Sequence, residues 1–405
     1  MKQKFNKVCA IICEYNPMHT GHIHLINKAK EITKCDIVLG LMSGNFSQRA
    51  KPCVLNKYTR AKIAVDNGLD FVVNFPTAFC INNAEIFALS AIKILNQLRV
   101  THLAFGVETL NEEAFYALAK FLLNEPLKFK KLLKEKLKDG NNYSATLYDA
   151  LKENLFYFNE SLQSDILKII TRPNNILALE YIKALIKTKS KILPVLIERV
   201  DNFNNNKIIN NFVSSSYIRQ NLDKNFKKIE KYLPKNSISY FNKNSVDVNL
   251  FNNIKFYNLK TFEIKKLKNI YGVTEGLENR LLNLANNTNN FENFYNTLTT
   301  RRYKNSRLNS VLLNCLLNVD KYLIKKLYTT KFNIKLKVLA LNPKNKQILS
   351  KIDSKNLILR KSDMQKLKFN NFNKKIMQIE NKANSLYNVI AKTNLIELDY
   401  YNKMQ

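Results

Sequence analysis

The first 110 residues alternate short apolar runs with amphipathic stretches, and few chain topologies accommodate that rhythm. Residues 8–13, 36–42, 71–75 and 102–105 have strand length and are apolar almost throughout. A strand with no polar face has to be covered on both sides, which is the situation inside a parallel sheet flanked by helices. Residues 19–32, 56–67 and 82–98 lie between these runs and read as helices. The pattern predicts a Rossmann-like, doubly wound α/β sheet.

Residues 112–187 break the rhythm. Ala114, Ala117, Leu118, Phe121 and Leu122 form one amphipathic stripe and residues 176–186 another, so this stretch reads as a helical insertion. Strand character returns at 192–197, and 214–222 reads as a capped helix start. From 226 the chain turns to Lys- and Asn-rich helical segments with few strand signals, while 202–206 and 286–290 read as Asn-rich loops. Since 405 residues exceed what one core usually organises, two domains are expected. The expected division is a domain over 1–225 that contains the sheet and a mainly α-helical, basic domain over 226–405.

Charge narrows the partners. The chain carries 65 Lys plus Arg against 32 Asp plus Glu, a formal +33, which draws in polyanions such as RNA. AT-rich codon drift toward Lys, Asn and Ile is the competing source of that charge. Six cysteines stand without a CxxC pair or a neighbouring histidine at ligand spacing, so they read as buried apolar residues of a reducing cytoplasm, and no metal site is assigned. No run approaches the roughly 20 apolar residues of a bilayer span.

The segment with the most chemistry is Asn16-Pro17-Met18-His19-Thr20-Gly21-His22, between the first strand and the first helix. A helix N-terminus offers unpaired N–H groups and the positive end of the macrodipole, which suit a triphosphate. Gly21 allows close backbone approach, and His19 and His22, three apart, face one phosphate. Two imidazoles there stabilise charge as pyrophosphate leaves. Far downstream, Ser214-Ser215-Ser216-Tyr217-Ile218-Arg219 offers hydroxyl caps and a phosphate-seeking guanidinium. Taken singly, the first is a four-residue pattern and the second a common helix cap; together they resemble the HxGH and SSTxIR motifs of the nucleotidylyltransferase superfamily, with Ser216 in place of Thr.

A closer resemblance runs through nearly the whole chain. Glu14 to His22, Met42-Ser43-Gly44-Asn45-Phe46-Ser47-Gln48-Arg49, Lys57, Arg60, Phe105-Gly106-Val107-Glu108, Arg172-Pro173-Asn174-Asn175-Ile176-Leu177 and Arg199 resemble the tRNA(Met) cytidine acetate ligase family. So do Glu275 to Arg280 and Arg301-Arg302-Tyr303 with Arg307. The resemblance implies ATP-dependent activation of acetate, with Mg²⁺ accompanying the nucleotide, and acetylation of N4 of the wobble cytidine in the anticodon loop of elongator tRNA(Met). It further implies that Ile12, Glu14, Asn16, Pro17, Gly21, Leu25, Gly106, Asn174, Asn175, Arg199, Val200, Ser216 and Arg219 surround ATP, with His19 and His22 catalytic. Met18 stands where that family usually has Phe, Ala50-Lys51 where it has Gly-Glu, and Val107 where Ser is common.

Several positions admit a plainer reading. Gly106 also suits a turn, Asn174 a helix cap, and Arg199 a solvated surface. Arg49, Lys57 and Arg60 suit acetate, pyrophosphate or RNA, and for Lys57 and Arg60 simple surface charge on one helix face is the plainer alternative. Arg302, Tyr303 and Arg307 have the composition of a site that grips phosphates and stacks a base, or of a solvated charged helix. Two other functions share parts of the pattern: a small-molecule adenylyltransferase of the pantetheine-phosphate or nicotinamide-nucleotide kind, and a non-catalytic RNA-binding protein.

Overall fold

The computed structural model describes residues 7–138, 143–199, 213–241, 246–274, 276–300, 303–329, 332–345, 354–359, 363 and 370–393. The expected alternation is present as β1 (Val8–Cys13), α1 (Thr20–Thr33), β2 (Ile37–Ser43), α2 (Lys57–Asp66) and β3 (Phe71–Phe75). It continues through α3 (Thr77–Cys80), α4 (Ala84–Gln97) and β4 (His102–Val107). Among the described residues the insertion holds five α-helices: α5 (Glu112–Leu123), α6 (Leu127–Lys138), α7 (Tyr143–Lys152), α8 (Glu160–Thr171) and α9 (Pro173–Lys187). It leads into β5 (Leu193–Glu198).

These strands run parallel in the order β5-β4-β1-β2-β3. Every residue of β2 and β3 is buried, so both faces are covered, as their unbroken apolarity requires. The order reverses between β1 and β4. Chains leaving their carboxyl ends diverge there and open a crevice.

Beyond β5 the structure departs from the expected run of helices. Helices α10 (Ser215–Asn221), α11 (Phe226–Glu230), α12 (Val248–Lys260), α13 (Ile264–Leu267), α14 (Leu277–Asn286), α15 (Phe291–Leu298), α16 (Asn305–Leu317) and α17 (Lys321–Lys325) are followed by β6 (Leu336–Leu341) and β7 (Leu357–Ile358). Both strands join the same sheet, β6 antiparallel to β3 and β7 beside β6. The sequence reading assigned no strand there. The last helix, α18 (Asn371–Ile390), also returns to the sheet and buries Ile376, Ile379, Leu386 and Tyr387 in the main core. A second cluster, including Phe256, Leu281, Phe294 and Leu312, is confined to α12–α16 and their connections.

Polar contacts fasten α18 to the strand ends. The Glu380 carboxylate accepts hydrogen bonds from Thr77 N–H and from Asn74 Nδ2 (3.1 Å) and lies 3.8 Å from Lys57 Nζ. Tyr387 Oη donates to Cys53 O (2.9 Å). The abundant asparagines also have structural roles. Asn56, Asn83, Asn111, Asn225, Asn290 and Asn370 cap α2, α4, α5, α11, α15 and α18 through their side-chain oxygens. Each such cap contributes about 1 kcal/mol, so codon drift alone is a poor account of their placement.

Candidate active site

β1 delivers the chain into the crevice at Tyr15, whose φ of 47° turns the backbone sharply, and the following Asn16–Pro17 peptide is cis. His19 then caps α1 with its ring: Nδ1 accepts from Gly21 N–H (3.1 Å), while His22 Nδ1 accepts from His19 N–H (3.3 Å). The pair forms a reciprocal capping box built from two imidazoles, in place of the usual Ser/Thr and Glu. Their centroids lie 3.8 Å apart with planes tilted by 31°. A peptide N–H only donates, so both Nδ1 atoms must present lone pairs, and the ring hydrogen of each sits on Nε2. The cap therefore sets the tautomer in which two N–H donors project from one helix start.

Burial holds the His22 pKa well below the ordinary histidine value of 6.5, and the neighbouring His19 and Arg199 lower it further. His22 is thus a neutral donor at physiological pH. The unfolded chain protonates this ring near 6.5 and the folded one does not, so unfolding takes up a proton below that value. The stability associated with neutral His22 is complete above about pH 7.5 and is lost as pH falls below 6.5, by up to about 1.4 kcal/mol per unit. In urea titrations between pH 7.5 and 5, wild type loses stability more steeply than His22→Gln; parallel curves would refute the assignment.

The downstream motif docks onto the same loop. Arg219 Nη1 donates to Asn16 O (2.6 Å) and Nη2 to Ser216 Oγ (3.0 Å), while Ser215 Oγ approaches Pro17 O at 3.5 Å. Ser214 caps α10 by accepting from Tyr217 N–H (3.2 Å). Asn16 is held from its other side, its Oδ1 accepting from Val54 N–H (2.9 Å). Glu14 Oε1 accepts from Gln48 N–H (2.7 Å), and Arg49 is exposed at this rim. Ile12 and Leu25 pack half-buried beside the strand and helix that carry the motif.

From the other side of the switch point come Gly106 and Arg199. Arg199 N–H donates to Val107 O (2.8 Å), extending the β4–β5 pairing, and its side chain crosses Gly106. A Cβ on residue 106 would sit 3.0 Å from Arg199 Cγ and 3.4 Å from Cδ, so glycine admits the arginine to the crevice. A side chain there displaces Arg199. Gly106→Val is expected to raise KM for ATP about tenfold, the worth of one charge-assisted hydrogen bond, with little change in Tm. An unchanged KM in steady-state kinetics would remove Arg199 from the nucleotide site.

Other expectations need correction. The N-cap of α9 is Arg172, with no side-chain cap, so neither asparagine caps that helix. Asn174 Nδ2 instead donates to Glu108 Oε1 (2.5 Å). Asn175 is fully buried; its Oδ1 accepts from Glu108 N–H (2.7 Å) and its Nδ2 donates to Thr109 Oγ1 (3.0 Å). Both residues shape the turn after β4, and Asn175 acts there from behind it. Lys57 and Arg60 do not form a surface charge face, since each is 1% exposed. All five N–H donors of Arg60 are engaged: Nε with Leu55 O (3.0 Å), Nη1 with Glu14 O and Ser43 Oγ (3.4 Å), and Nη2 with Gly44 O and Ser43 O (3.2 Å). Arg60 is a clamp joining the exits of β1 and β2, with no donor left for a substrate.

In the C-terminal half, Tyr303 is 7% exposed and lies beneath Arg307, whose guanidinium is 5.1 Å from the ring centre and donates to Thr274 Oγ1 (2.7 Å). That ring is not placed to stack an incoming base. Val200, Arg302, Arg301, Glu275 and residues 202–206 lie outside the described residues. Glu380, absent from the sequence reading, reaches the strand ends from more than 300 positions away; no local signal marks it.

Ala50 is buried with φ 54°, a left-handed conformation that favours glycine. Ala50→Gly is expected to raise stability by about 0.5–1 kcal/mol in urea denaturation, the relief of strain exceeding the added chain entropy. A loss of stability would mean that the left-handed turn is unstrained.

A switch-point crevice with two helix-capping histidines and arginines from two later segments defines a nucleotidyl transferase fold and site. A family model described as HIGH Nucleotidyl Transferase matches residues 6–400. The chain belongs, within that class, to the tRNA(Met) cytidine acetate ligase family. It is 35% identical to the tRNA(Met) cytidine acetate ligase of Clostridium novyi over 87% of this chain and 88% of that one. It is 33% identical to the protein of that name from Thermoanaerobacter sp., covering 98% of this chain and 99% of that one. Among solved structures, Thermotoga maritima TmcAL superposes with TM-score 0.85 at 28% identity in its apo form and 0.83 at 27% bound with alpha-thio ATP. Each covers 95% of both chains.

Proposed function

We propose that this protein activates acetate with ATP and transfers the acetyl group to N4 of the wobble cytidine of elongator tRNA(Met), in the cytoplasm. The observation that carries the reading is the imidazole capping box at the start of α1, in which both Nδ1 atoms accept backbone N–H groups so that each ring carries its hydrogen on Nε2, with Arg219 docked on the same loop. An acetate oxygen attacks the α-phosphorus of ATP, the bond to the bridging oxygen breaks, and pyrophosphate leaves with the electron pair. His19, His22 and the α1 N-terminus bind the charge that develops. The cytidine N4 then attacks the acetyl carbonyl, AMP departs, and the amine proton passes to solvent. A splayed anticodon base suits this second step, because a base inside a duplex could not reach the crevice.

Among the described residues no cluster of three or more His, Cys, Asp or Glu side chains could hold a metal ion. Mg²⁺ keeps several waters and needs only one or two carboxylates besides phosphates, and Glu14 is the carboxylate at this rim. Mg²⁺ bound there would neutralise phosphate charge. No helix among the described residues is long and apolar enough to cross a membrane.

Labelled acetate, ATP and total tRNA, combined and with each omitted, test the reading. RNA should be labelled only when all three are present, without acetyl-CoA. A product that retains AMP with no RNA label would favour a small-molecule adenylyltransferase. Absence of pyrophosphate release would favour a non-catalytic RNA-binding protein.

A further inference from the structure

Acetyl activation and transfer leave one surface of the helical insertion unexplained. Phe156 and Tyr157, on the short turn between α7 and α8, are 68% and 44% exposed, with ring centroids 4.5 Å apart. Adjacent large rings left in water are unusual, because their burial is worth several kcal/mol in all. The pair is held in place from below. Tyr157 lies 5.4 Å from Phe121, which in turn lies 4.9 Å from Phe129 on α6.

Helix α6 therefore borders the rings, and it is strongly basic. Its sequence LKFKKLLKEKLK holds six lysines and one glutamate, and Lys128, Lys130, Lys131 and Lys134 are exposed. Lys136 pairs with Glu153 (2.8 Å), fixing α6 to the segment that enters the aromatic turn. Helix α8 runs 12 residues from that turn to Arg172, which donates to Glu108 O at the exit of β4. The platform thus lies about 18 Å, one helix length, from the crevice.

We propose that this turn and α6 form an RNA-contacting surface. Phe156 and Tyr157 stack on unpaired bases, and the α6 lysines contact phosphates of the same molecule. The proposal rests on the tRNA-directed function above and adds a second point of contact to it. A basic face is often only a solvated one; the exposed ring pair beside it is what distinguishes this surface, since aromatic faces among cations are the make-up of a single-strand platform. An anionic membrane would also attract a basic helix, but insertion needs an apolar face, and Phe129 and Leu133 of α6 are buried within the protein.

The test uses the full chain, with F156A/Y157A and K128Q/K131Q/K134Q as variants. Acetate-dependent ATP–pyrophosphate exchange without tRNA should match wild type in both. For tRNA, KM should rise about tenfold in the aromatic variant. In the lysine variant the slope of log affinity against log salt should shrink by about two. Unchanged KM and slope, with wild type acetylating tRNA normally, would overturn the surface and leave the function intact. If wild type transfers nothing to tRNA, the function reading fails instead. Gel-shift binding of tRNA then decides the surface, equal affinities overturning it. Variants that lose binding to anionic phospholipid vesicles while keeping their tRNA affinity would also overturn it.

Discussion

His22→Ala abolishes acetate-dependent pyrophosphate release, with kcat falling at least about a hundredfold, while tRNA affinity stays near wild type. Removing one preorganised donor at a developing charge costs about 10²–10³ in rate. His22 is such a donor: its Nδ1 is occupied by His19 N–H, so its hydrogen sits on Nε2, and burial keeps the ring neutral. The same substitution removes half of the capping box, which by itself costs about 1 kcal/mol of stability. His22→Gln separates the two roles. Glutamine can complete the cap from this position, so Tm should recover. The rate should not, because the amide cannot place a donor where the imidazole Nε2 stands. Turnover within about tenfold of wild type in either variant would remove His22 from the chemistry.

Arg60→Met should lower unfolding free energy by about 4 kcal/mol, the largest stability loss expected from a substitution at this site. The side chain satisfies the carbonyls of Glu14, Ser43, Gly44 and Leu55 in a water-poor interior. Each orphaned buried acceptor costs about 1–3 kcal/mol, and methionine fills the volume without pairing any of them. Arg60→Lys should recover only a small part, since an ammonium presents three donors from one point where the guanidinium presents five in a plane. Urea denaturation measures both. A loss below about 1 kcal/mol for Arg60→Met would show that these carbonyls find other partners, and the clamp would be discarded.

Much of the architecture was legible because it is local. Val8–Cys13, Ile37–Ser43 and Phe71–Phe75 carry the continuous apolarity of strands covered on two faces, and the fold buries them that way. The His19–His22 pair was readable because three residues of helix put both rings on one turn. Arg219 was readable only through its motif, and the fold brings it to Asn16 O. By contrast, β6 carries the same kind of apolar run as β1 yet escaped notice, because 336–341 sits amid Lys- and Asn-rich helices. Its partner β3 lies more than 250 positions earlier, and pairing over that distance leaves no local trace.

Charge was the least legible property. Lys57 and Arg60, the first and fourth residues of α2, look like solvated cations in any local window, yet both are buried at the strand exits. Tyr303 beside Arg307 suggests a stacking platform until its ring is found covered, whereas Phe156 and Tyr157 stand open. By itself the sequence determined the strand–helix alternation, the helix caps and the chemistry of the motif, all properties of residues within a few positions of one another. The tertiary structure decided which cations are consumed, which rings are exposed and which late segments complete the sheet. Burial and pairing are free energies between groups far apart in the chain, and they have no value until the chain has folded.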